Sequence, residues 1–173
     1  MKKEDIPIFL INGFLEAGKT KFLQFTMEQE YFQTDGKTLL VVCEEGEEEY
    51  SKELLQNTHT DMVVVEDVKD ITQDKLIAIA AARNPERIII EWNGVWPQSE
   101  FRIPDGMFLN QQITIIDTTS LDMYLKNMKP LMGQMLRFTE MVICNRADDI
   151  PEETLGKYYT QLKAMAQNAE IIF

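Results

Sequence analysis

The stretch Pro7–Leu23, PIFLINGFLEAGKTKFL, decides the fold of this chain. Its second part, the octet Gly13–Thr20, matches the pattern G-x-x-x-x-G-K-[ST] of the phosphate-binding P-loop. In such a loop the backbone N–H groups surround a triphosphate, and the two glycines let the backbone approach the phosphate oxygens. Lys19 would reach the β- and γ-phosphates, and the Thr20 hydroxyl would bind Mg²⁺.

The residues on both sides of the octet support this interpretation. The apolar run Ile8–Ile11 predicts a buried strand before it, and apolar residues at helical spacing in 21–27 predict a helix after it. The positive end of that helix would face the phosphates. The alternative is a glycine-rich turn between two elements of the core.

The composition is that of a single folded domain. The chain has 173 residues, of which 45% are hydrophobic and 27% are charged. Its formal net charge of −12 argues against binding to nucleic acid or to an anionic membrane. We expect a cytoplasmic protein without membrane insertion, because no apolar run is as long as a membrane span. Cys43 and Cys144 end apolar runs and suit buried, reduced thiols.

Predicted strands and helices alternate along the chain. Continuous apolar, β-branched runs are typical of strands buried on both faces, and they occur near 6–12, 38–43, 61–66, 87–91, 112–117, 140–145 and 169–173. Helical spacing occurs near 19–31, 48–57, 72–83, 120–138 and 151–167. This alternation predicts an α/β fold of the P-loop NTPase type: a doubly wound, mostly parallel sheet of six or seven strands in three αβα layers, with the ligand at the carboxyl ends of the strands.

An acidic segment follows the second predicted strand and reads EEGEEE over 44–49. One or two of its carboxylates, with Glu44 and Glu47 as candidates, would reach Mg²⁺ in a switch segment. Gly46 would supply the flexibility of such a segment. The alternative is the solvated, acidic start of a helix.

The fourth predicted strand ends in an acid, at Glu91 of the sequence EWNG. A P-loop nucleotidase needs an acid here to hold Mg²⁺ or the attacking water, and the N–H of Gly94 would face the γ-phosphate. The alternative is an ordinary strand end followed by a turn. We expect Trp92 and Trp96 to be core or interface aromatics.

The sixth predicted strand ends in Asn145-Arg146-Ala147-Asp148, which fits a guanine-reading loop. The carboxylate of Asp148 would accept hydrogen bonds from the ring N–H and the exocyclic amine of guanine, which adenine does not offer. Asn145 would fix the loop and touch the base edge, and the stem of Arg146 would pack over the base. After the two upstream motifs, this loop favours GTP over ATP.

Together these stretches resemble the GTPase domain of the CobW/HypB/UreG family of metal-centre GTPases, and most closely its CobW-type branch. The resemblance is carried by IPIFLINGFLEAGKTKFL, VVCEEGEEEY, ERIIIEWNGVWP, QITIIDTTSLDMYL and QMLRFTEMVICNRAD, and it spans 6–173. The Glu-x-x-Gly motif, in place of the Asp-x-x-Gly of Ras-like GTPases, is the sign most specific to the branch. The resemblance implies a Mg²⁺-dependent GTPase that is slow alone and acts as a switch or chaperone for a metalloprotein or cofactor-handling partner. Hydrolysis would wait for that partner or for homodimerisation.

The chain also departs from the family pattern. Glu16 stands where the family usually has glycine, Lys21 where it has a second threonine, and Arg146 where it has lysine. Lys21 would offset the charge of Glu16 or reach the α-phosphate. The Cys-x-Cys-Cys metal motif of the branch is missing from the region 65–71, VEDVKDI, so we expect no thiolate zinc or cobalt site there. The acids of that region are exposed loop residues or ligands of a hard cation.

These observations give a definite set of candidate residues. The predicted nucleotide-binding residues are Gly13, Glu16, Ala17, Gly18, Lys19, Thr20, Lys21, Gly94, Asn145, Arg146 and Asp148. The predicted catalytic residues are Lys19, Thr20 and Glu91, and the predicted Mg²⁺ ligands are Thr20, Glu44, Glu47 and Glu91. We expect 1–173 to form one GTPase domain, and one open alternative is a truncated form that lacks a C-terminal domain. Two other functions remain open: a non-hydrolysing nucleotide-binding scaffold, and an ATP-using P-loop ATPase or kinase.

Overall fold

A computed structural model of the chain describes residues 5–43 and 46–173. Over these residues seven strands form one sheet in the order β3-β2-β4-β1-β5-β6-β7, and all neighbouring strands are parallel. The strands are β1 (Ile6–Asn12), β2 (Thr38–Val42), β3 (Thr60–Val64), β4 (Arg87–Glu91), β5 (Met107–Asp117), β6 (Met141–Asn145) and β7 (Glu170–Ile172). The helices are α1 (Lys19–Met27), α2 (Lys52–Asn57), α3 (Gln73–Arg83), α4 (Leu121–Asn127), α5 (Lys129–Leu136) and α6 (Glu152–Met165). The predicted α/β fold is therefore confirmed, and the sheet is parallel throughout.

Strand β1 occupies the middle of the sheet, between β4 and β5. From β1 the chain passes to β2 on one side, and from β4 it crosses to β5 on the other side. The loop after β1 therefore lies where the winding direction reverses, which is where open α/β sheets bind ligands.

Buried apolar residues on both faces hold the helices against the sheet. Ile8 and Leu10 of β1 pack in one cluster with Leu76 of α3, whereas Ile11 packs in another with Leu23 of α1. A third cluster joins β6 to residues of α4, α5 and α6. This alternation along one strand explains why the central strands are apolar without interruption.

Trp92 lies fully inside the core, directly after β4. Its ring contacts Trp96 edge-on at a centroid distance of 5.6 Å and Phe101 at 5.5 Å. The expectation of core aromatics at Trp92 and Trp96 is therefore confirmed.

The predicted helix over 120–138 is wrong in one respect, because two helices occupy this range. Helix α4 ends before Met128, and α5 starts at Lys129 with Pro130 in its first turn. Proline has no backbone N–H and cannot continue a helix from the preceding turn, but it suits the start of a new one.

Three other boundaries differ from the predictions. Strand β5 begins at Met107 and not near 112, because its first half alternates between inward and exposed residues instead of being apolar throughout. Helix α1 ends at Met27 and is followed by a 3₁₀ turn, Glu30–Phe32. Helix α2 begins at Lys52 and not near 48, because the Ser51 hydroxyl caps it by accepting the Leu54 N–H at 3.1 Å.

Cys43 and Cys144 are both buried, and neither forms a disulfide bond with the other. Burial raises the pKa of Cys144 to about 12, so its thiol stays neutral at physiological pH. In the described residues, no helix has both the length and the apolar character required to cross a membrane.

Candidate functional site

The P-loop connects β1 to α1 and closes around the Lys19 side chain. Lys19 is only 4% exposed, and its Nζ donates hydrogen bonds to the Gly13 carbonyl at 2.7 Å and the Phe14 carbonyl at 2.9 Å. The N–H of Gly13 donates to Asn12 Oδ1 at 2.8 Å. The loop backbone is therefore ordered from both ends, by the strand that precedes it and by the first residue of the helix that follows.

Gly18 must be glycine for two reasons. Its φ of 108° lies in the left-handed region, and a Cβ atom there would lie 2.5 Å from Asn145 Nδ2. The same Asn145 amide donates to the Ala17 carbonyl at 3.0 Å. The loop after β6 is thus bound directly to the P-loop, which agrees with the predicted loop-fixing role of Asn145.

Arg146 makes a second link between the β6 loop and the P-loop. Its guanidinium donates to the Glu16 carbonyl at 3.0 Å and pairs with Asp117 at 2.6 Å. Asp117 ends β5, next to β6, so two neighbouring strand ends supply this pair. Asp148 follows in a turn and is exposed to solvent, where a ligand could reach it. The predicted contacts of Asp148 and of the Arg146 stem with a base stay predictions.

Glu91 lies at the centre of the site, at the carboxyl end of β4, and is only 2% exposed. Its Oε1 accepts a hydrogen bond from the Thr20 hydroxyl at 2.8 Å, and its Oε2 accepts one from the Tyr50 hydroxyl at 2.5 Å. Burial, and then the negative charge of Glu91, raise the pKa of Tyr50 well above its usual value. The Tyr50 hydroxyl therefore stays protonated and acts as the donor.

Gly94 brings the other end of the Glu-x-x-Gly motif against the P-loop. A Cβ atom on Gly94 would lie 2.4 Å from the Gly13 carbonyl oxygen. A side chain at position 94 would therefore collide with the backbone of the P-loop. This packing role was not predicted, and the contact of the Gly94 N–H with phosphate stays a prediction.

The described part of the acidic segment, residues 46–49, lies against the P-loop and the start of α1. The Glu47 N–H donates to Glu16 Oε1 at 3.1 Å, and Glu48 pairs with Lys21 at 2.8 Å. The Glu49 carbonyl accepts from Gln24 Nε2 at 2.7 Å. Glu44 lies outside the described residues.

The two P-loop departures from the family pattern therefore contact this one segment. Lys21 pairs with Glu48, and the predicted offset of the Glu16 charge by Lys21, or a contact of Lys21 with the α-phosphate, stays a prediction. The Glu16 carboxylate accepts a backbone N–H of the segment. Both side chains therefore contact residues 47–48 of the acidic segment.

A polar cavity of about 160 Å³ lies between these groups. The residues lining it are Leu15, Glu16, Gly18, Lys19, Thr20, Lys21, Gly46, Glu47, Glu48, Glu91 and Arg146. The fold thus brings most of the predicted site residues to one place. In the described ranges, no group of three or more His, Cys, Asp or Glu side chains is placed to hold a metal ion.

Among the residues that sequence reasoning missed, Asp117 and Tyr50 form side-chain bonds with predicted site residues. Asp117 carried a detectable signal, because it is a carboxylate at the end of a parallel strand, the same rule that found Glu91. Tyr50 carried almost no such signal. It follows the acidic stretch 44–49, where no periodic pattern indicates which residue its side chain contacts.

The comparisons with known proteins agree with this geometry. The family model for the CobW/HypB/UreG nucleotide-binding domain matches residues 7–173. The hydrogenase maturation factor HypB from Archaeoglobus fulgidus has a TM-score of 0.65 at 17% identity, over 96% of this chain and 80% of that one. The Zn(II)-bound YjiA GTPase from E. coli has a TM-score of 0.69 at 18% identity, over 98% of this chain and 57% of that one.

A third structure, HypB from Helicobacter pylori in complex with nickel, has a TM-score of 0.56 at 18% identity and covers 98% of this chain and 78% of that one. A search of curated proteins found no match. The structural likenesses show the shared fold, and the family model covers almost the whole sequence. The chain belongs to the CobW/HypB/UreG family, as a nucleotide-binding domain with the P-loop NTPase fold.

Proposed function

We propose that this chain is a Mg²⁺-dependent GTPase that acts as a nucleotide switch for a metal- or cofactor-handling partner. The observation that carries the proposal is the contact between Thr20 and Glu91, beside the buried Lys19, at the carboxyl end of the central strands. A P-loop hydroxyl and an acid from a neighbouring strand end are the two protein groups that this class of enzyme uses around its metal. Family membership supports the nucleotide as ligand.

The donor set suits Mg²⁺. The Thr20 hydroxyl and the Glu91 carboxylate are hard oxygen donors only 2.8 Å apart, and Glu47 lines the same cavity. Thr20 and Glu91 would hold the ion, with Glu47 and Glu44 as further candidates. When bound, Mg²⁺ neutralises charge on the β- and γ-phosphates. Lys19 adds a fixed positive charge at the same phosphates, and the buried Glu91 orients the attacking water or a metal-bound one.

We further propose that hydrolysis is slow in the isolated domain of 1–173. The guanidinium of Arg146, which lines the cavity, is already engaged with Asp117 and the Glu16 carbonyl. It is therefore not poised to act as an arginine finger, which accelerates such reactions by stabilising the charge of the transition state. A partner protein or a second copy of the chain would supply or order that charge. HypB and YjiA are metal-bound in two of the similar structures, which supports a partner in metal handling.

Base choice is tested by titrating GTP, ATP and GDP calorimetrically, with and without Mg²⁺. We expect GTP to bind more tightly than ATP, because the exposed Asp148 offers a carboxylate to the guanine edge. Asp148→Ala should remove most of the difference, and Asp149→Ala, its exposed neighbour, should leave it intact. Equal affinities for GTP and ATP in the unmodified protein would contradict guanine specificity and favour the ATP-using alternative.

Hydrolysis is tested separately, by single-turnover phosphate release from Mg²⁺-GTP. The unmodified protein should release phosphate well above the level of Lys19→Ala, since that substitution removes the charge that contacts the phosphates. Tight GTP binding without such release would identify the domain as a non-hydrolysing nucleotide-binding scaffold.

A further inference from the structure

The Glu91 carboxylate is held in one orientation by donors on two different elements. Thr20 of α1 bonds one of its oxygens and Tyr50, from the segment before α2, bonds the other. Two donors on the two oxygens of a carboxylate fix the plane of the group, because rotation about the Cγ–Cδ bond would break both bonds. A buried carboxylate depends strongly on such donors, since water cannot replace them.

Tyr50 is joined to the P-loop through its own segment as well as through Glu91. The Glu49 carbonyl, one residue before it, accepts from Gln24 of α1 at 2.7 Å. Glu48 and Glu47 bond Lys21 and Glu16. Residues 47–50 therefore contact the P-loop and α1 at successive positions, and a movement of this segment would displace the Tyr50 hydroxyl.

The Tyr50 ring is anchored separately from its hydroxyl. It is partly buried and packs against the apolar cluster that includes Leu40 and Val42 of β2. The ring can therefore keep its place when the hydroxyl is removed, which makes Tyr50→Phe an informative substitution.

We propose that Tyr50 is a positioning residue for Glu91, and that it makes the orientation of this carboxylate depend on the placement of residues 46–50. The inference rests on the proposed function, in which Glu91 holds Mg²⁺ or the attacking water. It adds a direct mechanical link between the acidic segment and the Glu-x-x-Gly motif. When the segment lies on the P-loop, Tyr50 orients Glu91, and when the segment moves away, Glu91 loses the hydrogen bond from Tyr50.

The kinetic test compares Tyr50→Phe with Tyr158→Phe in the full chain. Tyr158→Phe removes the same atom from another partly buried tyrosine, in the cluster around Val142 and Cys144. We expect Tyr50→Phe to lower kcat for Mg²⁺-GTP by about tenfold or more, the effect of losing one hydrogen bond to a charged group. The KM for Mg²⁺-GTP should change much less, because the phosphate contacts of the P-loop remain. Tyr158→Phe should change neither value.

The role of the segment is tested by Gln24→Ala, which removes the bond to the Glu49 carbonyl. This change should lower kcat in the same direction but less than Tyr50→Phe does. Combined with Tyr50→Phe, it should have no further effect, because the link to Glu91 is already broken. If the two substitutions lower kcat independently, so that their factors multiply in the double variant, the proposed coupling between the segment and Glu91 is overturned.

A double-mutant cycle in urea unfolding tests the contact without relying on any activity. Tyr50→Phe should shift the unfolding equilibrium by about tenfold in the unmodified background, since it leaves a buried anion short of a donor. The shift should be much smaller in a Glu91→Gln background. Additive effects would overturn the proposal even if the protein hydrolyses GTP.

The two proposals can fail separately. If the unmodified protein hydrolyses no GTP, the proposed function fails, while non-additive unfolding still supports the positioning of Glu91 by Tyr50. If the protein hydrolyses GTP and Tyr50→Phe leaves kcat unchanged, the positioning role is overturned and the proposed function stands.

Discussion

Gly94 and Gly13 illustrate how a single side-chain carbon decides whether the site can form. The Cα of Gly94 lies against the backbone of the P-loop, where a Cβ atom would come within 2.4 Å of a carbonyl oxygen. That distance is below any ordinary contact, so the P-loop or the strand end would have to move. The residue is therefore required by packing, independently of any phosphate.

Gly94→Ala should destabilise the protein by about 1–3 kcal/mol, the usual cost of overpacking, and should weaken nucleotide binding by displacing Gly13. Gly156→Ala is the matched control, because a Cβ atom there meets nothing within 4 Å and the residue lies inside α6. It should stabilise the protein by about 0.5–1 kcal/mol. Urea unfolding measures both, and a neutral Gly94→Ala would show that the two backbones can separate at little cost.

For single residues, the sequence indicated which positions belong to the site better than it indicated which side chains contact each other. Some positions could be predicted because each ends a strand or opens a helix in a recognisable spacing, as Lys19, Thr20, Glu91 and Asn145 do. The pairing of Lys21 with Glu48 could not be predicted, since several acids of that segment were equally near in sequence. Which of them faces the P-loop depends on how the segment folds back, and no local pattern encodes that.

At the scale of elements, a set of contacts joins the amino-terminal ends of β2 and β4, at the opposite end of the strands from the site. Arg87, the first residue of β4, donates to the Thr38 hydroxyl of β2 at 2.9 Å and to the Phe32 carbonyl. Its guanidinium also lies 3.7 Å from the centre of the Phe32 ring. Burial lowers the pKa of Arg87, although Glu86 opposes this effect. One side chain thus joins β4, β2 and the 3₁₀ turn after α1.

Arg87→Met should lower the free energy of unfolding by about 1–3 kcal/mol, because it keeps the apolar stem but removes the donor to the partly buried Phe32 carbonyl and the cation over the Phe32 ring. Nucleotide affinity should stay unchanged, since the side chain lies at the opposite end of the strand from Glu91. Arg102→Met, at an exposed position, is the control and should have little effect. A large loss of nucleotide affinity in Arg87→Met would mean that the amino-terminal ends of the strands are coupled to the site at their carboxyl ends.

Elements were predictable where one rule applied along their whole length. The central strands are apolar over most of their length. The start of α2 was misplaced although Ser51 is an ordinary cap residue. Strand β5 was predicted only in its buried half, because its first residues pair with the beginning of β1 at a partly exposed edge. The break at Met128 was missed because apolar spacing continues across it, although Pro130 was a visible signal.

For the molecule as a whole, the dominant long-range term is its formal net charge of −12. Like charges on a compact surface repel one another, and salt screens them. The acidic segment adds to this field beside the site that would bind a polyanion.

Raising the ionic strength from about 0.01 to 0.15 M shortens the Debye length from about 30 to 8 Å. We therefore expect the urea midpoint to rise with salt while the m-value stays constant. Glu66→Lys combined with Glu100→Lys adds two charges at each exposed position and brings the net charge from −12 to −8. The urea midpoint of this variant should rise less steeply with salt than that of the unmodified protein. Equal slopes for the two proteins would indicate that local ion pairs, and not net charge, control the salt dependence.

The bond between Asn145 and the Ala17 carbonyl joins residues 128 positions apart. During synthesis, the ribosome must therefore release most of the chain before the P-loop acquires this partner. A nascent chain that stops before β6 has the glycines and Lys19 but not the loop that packs against Gly18. We therefore expect nucleotide to assist the final stage of folding, when about the last fifth of the chain, from β6 onward, docks against the P-loop.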